Sequence, residues 1–263
     1  MSVVPPFDKY AAYQVAVQSP REDARFLRRV YRELRGREPL VLREDFCSTF
    51  TLCCEWVRLN SENQAVGIDI DPEPLRYGEK HYASELSESQ QRRITTLQRD
   101  VMKSGSVRAD IVCALNFSYF LFKSRQSLVR YFERCRSTLL TNGILVVDAF
   151  GGPFHEEPNV HTRRLRGLTY YFEQETFDPI TRHARFSIHF KSSRGRAHKR
   201  AFSYDWRLWS IAEVRDAMSD AGFSRTCVYW EGTTRKGLGN GVFSRKESGE
   251  PCQAWVAYII ALR

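Results

Sequence analysis

Residues 40–71 constrain the fold more than any other stretch. Leu40-Val41-Leu42 is a short apolar run closing on charged Arg43-Glu44-Asp45, and Phe46-Cys47-Ser48-Thr49 then leads into an apolar helical pattern over residues 52–59. A second apolar run, Ala65-Val66-Gly67-Ile68, closes on Asp69-Ile70-Asp71-Pro72. Strand, turn, helix and strand within about thirty residues is the size of one βαβ unit, whose strands run parallel. The first turn and the acid ending the second strand then meet at the carboxyl edge of the sheet, where an open α/β sheet binds its ligand. A carboxylate held there can accept two hydrogen bonds from the vicinal hydroxyls of a ribose, which makes Asp69 a candidate binding residue. Asp71 suits a helix N-cap instead, with Pro72 at the first helical position.

The same rhythm extends in both directions. Leu75, Gly78 and Tyr82 give a helix, and Ile94-Thr95-Thr96-Leu97 reads as a third strand ending at Arg99-Asp100, so Asp100 repeats the arrangement of Asp69. Residues 109–115 form a fourth strand breaking into Asn116-Phe117-Ser118-Tyr119. Leu128, Tyr131, Phe132, Cys135 and Leu139 fall at helical spacing before an Asn142-Gly143 turn, and Ile144-Leu145-Val146-Val147-Asp148 is the fifth strand. Strands apolar on both faces belong to a parallel sheet covered by helices on either side. Upstream, Tyr10, Tyr13, Val15 and Val17 suggest a short helix; Ser19, Pro20 and Glu22 predict a capping box opening a second one, with its apolar stripe running from Phe26 to Leu34 before Gly36.

At Gly151-Gly152-Pro153 the alternation of helix and strand stops. From residue 168 to 206 the pattern is antiparallel β: Ala184, Phe186, Ile188 and Phe190 alternate with Arg185, Ser187, His189 and Lys191, with turns at Asp178-Pro179 and Ser193-Arg194-Gly195. A capping box at Ser210 and Glu213 opens a last helix before Gly222. Two final strands are expected near residues 226–230 and 255–260, separated by a mobile glycine-rich loop, 237–249. The expectation is one domain over residues 1–263: a helical lid (1–36), a binding half (37–150), a β insertion (151–207), and a closing helix with two strands (208–263).

A chain of 263 residues with 42% hydrophobic and 27% charged residues can bury one large α/β core and is not disordered. It has no run near the roughly 18 apolar residues that span a bilayer, and residues 1–6 lack a secretory pattern; a cytoplasmic protein without a membrane partner is expected. Seven cysteines, with no C-x-x-C pair and no metal-ligand spacing to histidine, read as buried free thiols rather than a metal site. Net charge is +9. Between Asp178 and Asp205 stand seven Lys or Arg and no acid, which would suit docking of nucleic acid or an acidic protein. A solvated outer strand face fits the same alternation.

Five strands alternating with helices, acids ending the first three, and two late strands after a last helix resemble the class I S-adenosylmethionine-dependent methyltransferases. That resemblance implies a Rossmann-like seven-stranded, mostly parallel sheet with helices on both faces and, here, an antiparallel β insertion after strand five. The family's D/E-x-G-x-G-x-G run falls on residues 44–50, with Glu44 as the acid and Phe46, Ser48 and Phe50 replacing the glycines. Glycines there let the backbone approach the cofactor and adopt angles closed to other residues. Residues 42–49 also resemble the L-R-E-D-F-C-G-T run of an uncharacterised methyltransferase subgroup, from which only Ser48 departs.

The resemblance implies S-adenosyl-L-methionine as cofactor and no metal. It places Asp69 on the ribose hydroxyls, Asp100 by the adenine amino group, Val101 with its backbone N–H at the adenine ring, and Glu44 behind the loop that meets the methionine moiety. Phe46, Cys47, Ser48 and Ile70 would also line the cofactor, with Asn116 beside the sulfonium. Asn116 and Tyr119 share the N-x-x-Y frame of the amino-methylating N-P-P-Y motif, without its prolines; helix capping by Asn116 and packing by Tyr119 is the competing reading. The resemblance folds the N-terminal lid (Tyr10, Tyr13, Gln18) over the cofactor; the insertion aromatics (Tyr170, Tyr171, Phe172, Trp206, Trp209) could wall an apolar pocket or serve as core, and His155 lies near the active edge as a potential base or a plain loop histidine. The expected activity is methyl transfer to N or O of a small or medium-sized molecule. The alternatives are an RNA or protein methyltransferase docking through residues 179–204, and a non-catalytic binding module on the same fold.

Overall fold

The computed structural model describes residues 7–103, 105, 107–193, 195–234 and 238–263. Residues 1–6 and Arg194, used in the sequence reading, lie outside them. The chain opens with α1 (Lys9–Val17), capped by the Asp8 carboxylate, and α2 (Pro20–Arg35), which stops where Gly36 turns left-handed at φ 69°. The expected capping box on α2 does not form. Ser19 makes no side-chain cap hydrogen bond and Glu22 accepts from Arg25 instead, because Pro20 already removes one orphan N–H and fixes the first turn.

The βαβ rhythm follows as expected: β1 (Val41–Asp45), α3 (Thr51–Leu59), β2 (Gln64–Asp69), α4 (Pro72–His81), the short α5 (Glu88–Gln91), β3 (Ile94–Gln98), β4 (Ala109–Ala114), α6 (Arg125–Thr138) and β5 (Leu139–Gly151). Asn142-Gly143 is no separate turn, because β5 runs through it. Next comes an antiparallel sheet of β6 (Asn159–Leu165), β7 (Leu168–Phe177), β8 (His183–Ser192) and β9 (Ala197–Arg207), paired in chain order. The sequence reading missed β6, whose interior residues are all exposed, so it carries no apolar alternation. The chain ends with α7 (Ile211–Asp220), opened by the expected Ser210–Glu213 capping box, then β10 (Arg225–Thr233), β11 (Gly239–Lys246) and β12 (Trp255–Leu262).

The main sheet has the order β11-β10-β12-β5-β4-β1-β2-β3, with β12 antiparallel to β5. Among the described residues it therefore has eight strands, one more than expected. The eighth, β11, comes from the glycine-rich stretch expected to be a mobile loop. It pairs antiparallel with β10 at the sheet edge, where its mostly exposed residues give no buried pattern to read. Helices cover both faces: α6 and α7 pack over Val112, Leu145 and Val147, while α2 and α3 pack over Leu42, Ile111 and Val146. The second sheet joins the first core through Phe172, Phe186 and Trp206, and α1 packs on it through Ala12 and Ala16.

On the α6 side of β1 lies a buried ion pair. Arg43 donates to both oxygens of Asp45 (2.7 and 3.1 Å), and both side chains are excluded from solvent. Tyr131 Oη also donates to Asp45, and Arg43 reaches Thr138 and the Val101 carbonyl. The pair thus ties β1 to α6 and to the turn after β3. Removing one partner leaves a buried charge alone, so Arg43→Met is expected to cost about 3–5 kcal/mol in urea unfolding. The double variant Arg43→Met/Asp45→Leu should recover most of that loss; no recovery would mean that more than the stranded charge is at stake.

Candidate functional site

The turn after β1 adopts a backbone that its side chains disfavour. Phe46, Ser48 and Phe50 have φ of 60°, 49° and 45°, all left-handed, at the three positions where the resemblance places glycine. Each such residue costs about 1–2 kcal/mol relative to a right-handed one. Room for the Phe50 side chain comes from glycines on the neighbouring elements. A Cβ on Gly67 of β2 would press on Cys47 and Phe50, and one on Gly78 of α4 would collide with Thr49 and the Phe50 ring. Phe46 leans on Tyr131, with ring centres 5.8 Å apart.

The turn is held by its neighbours. Cys47 N–H donates to the Ile68 carbonyl (3.0 Å) and Ser48 N–H to Asp69 Oδ2 (2.7 Å). Asp69 ends β2 and takes the Asp71 N–H on Oδ1 (2.9 Å); burial raises its pKa. Asp71 caps α4. Ile70, beside Asp69, is 68% exposed. Asp69 stands opposite Gln98 in register, so Asp100 follows just beyond on the neighbouring strand and accepts the Met102 N–H (2.9 Å). The Val101 side chain is in the core.

A row of polar groups crowns the face covered by α2. Glu44 stands opposite Gly67 and Cys113, and Asp148 of β5 stands opposite Tyr258 of β12. Glu44 is buried and accepts from the Cys53 thiol (3.2 Å); burial, with Asp23 and Asp69 nearby, pushes its pKa up to about 8. Asp148 accepts the N–H groups of Asn116 and Phe117 (2.8 Å each) and so fixes the left-handed turn after β4, with burial pushing its pKa up to about 7. Asp23 of α2 accepts from Tyr258 Oη (2.8 Å) and is pushed up to about 6, again chiefly by burial. Among the described residues no salt bridge involves Asp23, Glu44, Asp69 or Asp148.

Beside this row lies a cavity of about 640 Å³ lined by Asp23, Phe26, Asn116, Asp148, Phe243 and Tyr258, among others. Tyr119 does not line it; its ring is fully buried in the core against Phe120 and Phe132. Trp206 and Trp209 are likewise core, Trp209 donating to the Phe122 carbonyl. His155 packs edge-on against Phe150 and burial lowers its pKa. α1 bridges the site: Lys9 pairs with Glu73 (2.9 Å), Tyr77 Oη donates to Asp8, and Tyr13 packs on Phe202 of β9. On the insertion, Arg182 and Arg200 pair with Glu156 and Glu175.

The turn residues, Glu44, Asp69, Asp100 and Asn116 thus share one sheet edge. Asp148, Asp23 and Tyr258, which line the cavity, were not singled out from the sequence as binding residues. Asp148 was readable as a further strand-ending acid; Asp23 was one of several charges on an amphipathic helix, and nothing in the sequence singled it out.

Two outcomes follow from these geometries. Because Glu44 titrates near 8 when folded against an ordinary 4.5, the folded chain keeps a proton that the unfolded chain loses, and stability falls as pH rises from about 5 to 8. Glu44→Gln should therefore raise the melting temperature more at pH 8.5 than at pH 5; an equal change at both would contradict the buried, unpaired carboxyl. Ser48→Gly should stabilise by up to about 1 kcal/mol, the relief of the left-handed backbone exceeding the entropy that glycine loses on folding. Ser48→Ala, which relieves nothing, serves as the control in urea unfolding.

No family model matches the sequence, and no curated protein does either. Solved structures do match. CalS10, an amino pentose methyltransferase from Micromonospora echinaspora solved with S-adenosylmethionine bound, superposes with a TM-score of 0.68 at 15% identity over 100% of both chains. The sugar N-methyltransferase KedS8 from Streptoalloteichus sp. gives 0.63 at 20% identity over 100% of this chain and 96% of the other. An S-adenosylmethionine-dependent methyltransferase from Clostridium acetobutylicum gives 0.66 at 13% identity, covering 96% and 97%. The chain has the fold of these class I methyltransferases.

Proposed function

We propose that the chain is an S-adenosylmethionine-dependent methyltransferase acting on N or O of a small-molecule acceptor. The observation that carries this reading is the turn after β1, which keeps a glycine-type left-handed backbone at all three positions where Phe46, Ser48 and Phe50 replace glycine. A chain with no use for that turn could relax it. The acids fit as well: Glu44 and Asp148 have no salt bridge among the described residues, and a sulfonium carrying an ammonium group would favour their charged forms, which burial alone opposes.

In this reading Asp69 accepts the ribose hydroxyls, exposed Ile70 lies against the adenine face, and Asp100 takes the adenine amino group. Val101 supplies its backbone to the ring. Glu44 and residues 46–48 line the methionine moiety, and Asn116 faces the reacting centre from the mouth of the cavity. When bound, the cofactor supplies an already activated methyl group, so the protein's task is in-line placement of nucleophile, methyl and sulfur. α1 would serve as the lid that excludes water. The similar structures named for sugar acceptors favour a small molecule in the 640 Å³ cavity. Tyr119, sealed in the core, would support the turn after β4 rather than touch the acceptor.

Calorimetric titration with S-adenosylhomocysteine tests the cofactor site. Micromolar binding is expected, with Asp69→Ala weakening it at least about tenfold through loss of charge-assisted hydrogen bonds. The melting temperature of the variant checks that the turn still folds. No binding by the intact protein at saturating ligand would sink the reading and leave a binding module on a methyltransferase fold.

A further inference from the structure

The cavity has an acid that the cofactor reading does not use. Asp23 projects from the first turns of α2 into the 640 Å³ space that also holds Asn116 and Asp148. Its Oδ1 takes the Tyr258 hydroxyl at 2.8 Å, the Ser19 backbone N–H also bears on the carboxyl, and Oδ2 takes no side-chain hydrogen bond among the described residues. Asp148 spends both oxygens on the backbone N–H groups that fix the turn after β4, whereas Asp23 fixes no turn around the cavity. The titratable groups around it are acids: Glu44 on β1 and Asp148 on β5, both with pKa pushed up by burial, and Glu22 on α2, while the rim arginines are held elsewhere. Arg25 pairs with Glu22, and Arg29 pairs with Glu33 and donates to the Phe243 carbonyl. Next to the acid stands an aromatic wall, with Phe26 stacked on Tyr258 at 4.2 Å and Phe243 edge-on to Tyr258 at 4.6 Å.

We propose that Asp23, backed by the Tyr258 hydroxyl, receives the acceptor: it holds a primary or secondary amine as its ammonium and takes the proton before the nitrogen attacks. This inference rests on the methyl-transfer reading and narrows its acceptor to an amine. A neutral alcohol gains no ion pair from Asp23, whereas an ammonium pairs with its carboxylate while its hydrocarbon lies on the aromatic wall. In the step itself an N–H bond of the ammonium breaks and its proton passes to an Asp23 oxygen. The freed lone pair forms the N–C bond as the methyl C–S bond breaks, and that bond's electrons stay on sulfur, giving a neutral thioether and an N-methylammonium. Burial makes Asp23 more basic than an ordinary carboxylate, which narrows the gap to the amine it must deprotonate.

The test uses the full chain saturated with S-adenosylhomocysteine and titrated with benzylamine and with benzyl alcohol, which differ in the charged group alone. Benzylamine should bind at least tenfold tighter than the alcohol. Asp23→Asn should reduce that preference to near unity while S-adenosylhomocysteine still binds, and Asp23→Glu should restore part of it. Tyr258→Phe, with its melting temperature checked, should lower the preference severalfold and provides a second reading should Asp23→Asn fail to fold. Equal binding of the two probes, no binding of benzylamine to the loaded protein, or a preference that survives Asp23→Asn would each overturn the assignment of Asp23 while leaving the cofactor site standing. Absence of S-adenosylhomocysteine binding overturns the cofactor reading and this inference together.

Discussion

The site depends on a charge pair that never meets solvent. Arg43 and Asp45 point to the α6 side of β1, and Glu44 between them points to the α2 side, because successive side chains on a strand alternate. One strand of five residues therefore anchors the core with two charges and sets a buried acid on its other face, beneath the turn. Burying Arg43 with Asp45 is tolerable because the bidentate contact and the Tyr131 and Thr138 hydroxyls satisfy both groups. The network also sets the height of the turn above β1 relative to the turn after β3, since Arg43 reaches the Val101 carbonyl. Asp69 and Asp100 take their places on the two strands beyond.

Over that foundation the turn holds three left-handed residues, none of them glycine. A stretch stays in such angles only where its surroundings over-determine it. Here they do: the Asp69 carboxylate and the Ile68 carbonyl grip the turn from one side, and Phe50 is locked against α4, whose Gly78 leaves it room. The small residues needed for close approach have moved from the turn to the elements facing it. Strain of this kind is common where a backbone must present its N–H groups or its shape to a ligand.

The acids above the α2 face show how context sets chemistry. Glu44, Asp148 and Asp23 sit in the same dry corner, and burial raises all three above the ordinary carboxylate range. Their partners differ: a thiol for Glu44, two backbone N–H groups for Asp148, a phenol for Asp23. Asp148 thereby shapes the turn after β4, Glu44 remains the buried acid beneath the β1 turn, and Asp23 faces the open cavity.

The sequence alone was enough for the parallel half of the fold and for the edge on which the acids meet, because strands buried on both faces are largely apolar up to the acids at their carboxyl ends, as with Ile68 before Asp69; β5 differs in running on past Asp148 to Gly151. It was enough, too, for the second sheet wherever one face is buried, as in the alternation from Ala184 to Phe190. It was silent at β6 and β11, edge strands with little buried surface, where only the partner strand decides that the chain is extended. The tertiary structure decided that Phe46, Ser48 and Phe50 hold angles their own chemistry opposes, that Tyr119 turns into the core, and that Asp23 meets Tyr258 across 235 residues. Local pattern fixes which face of a strand or helix is buried; which polar groups converge depends on how those faces are brought together, and no single segment carries that information.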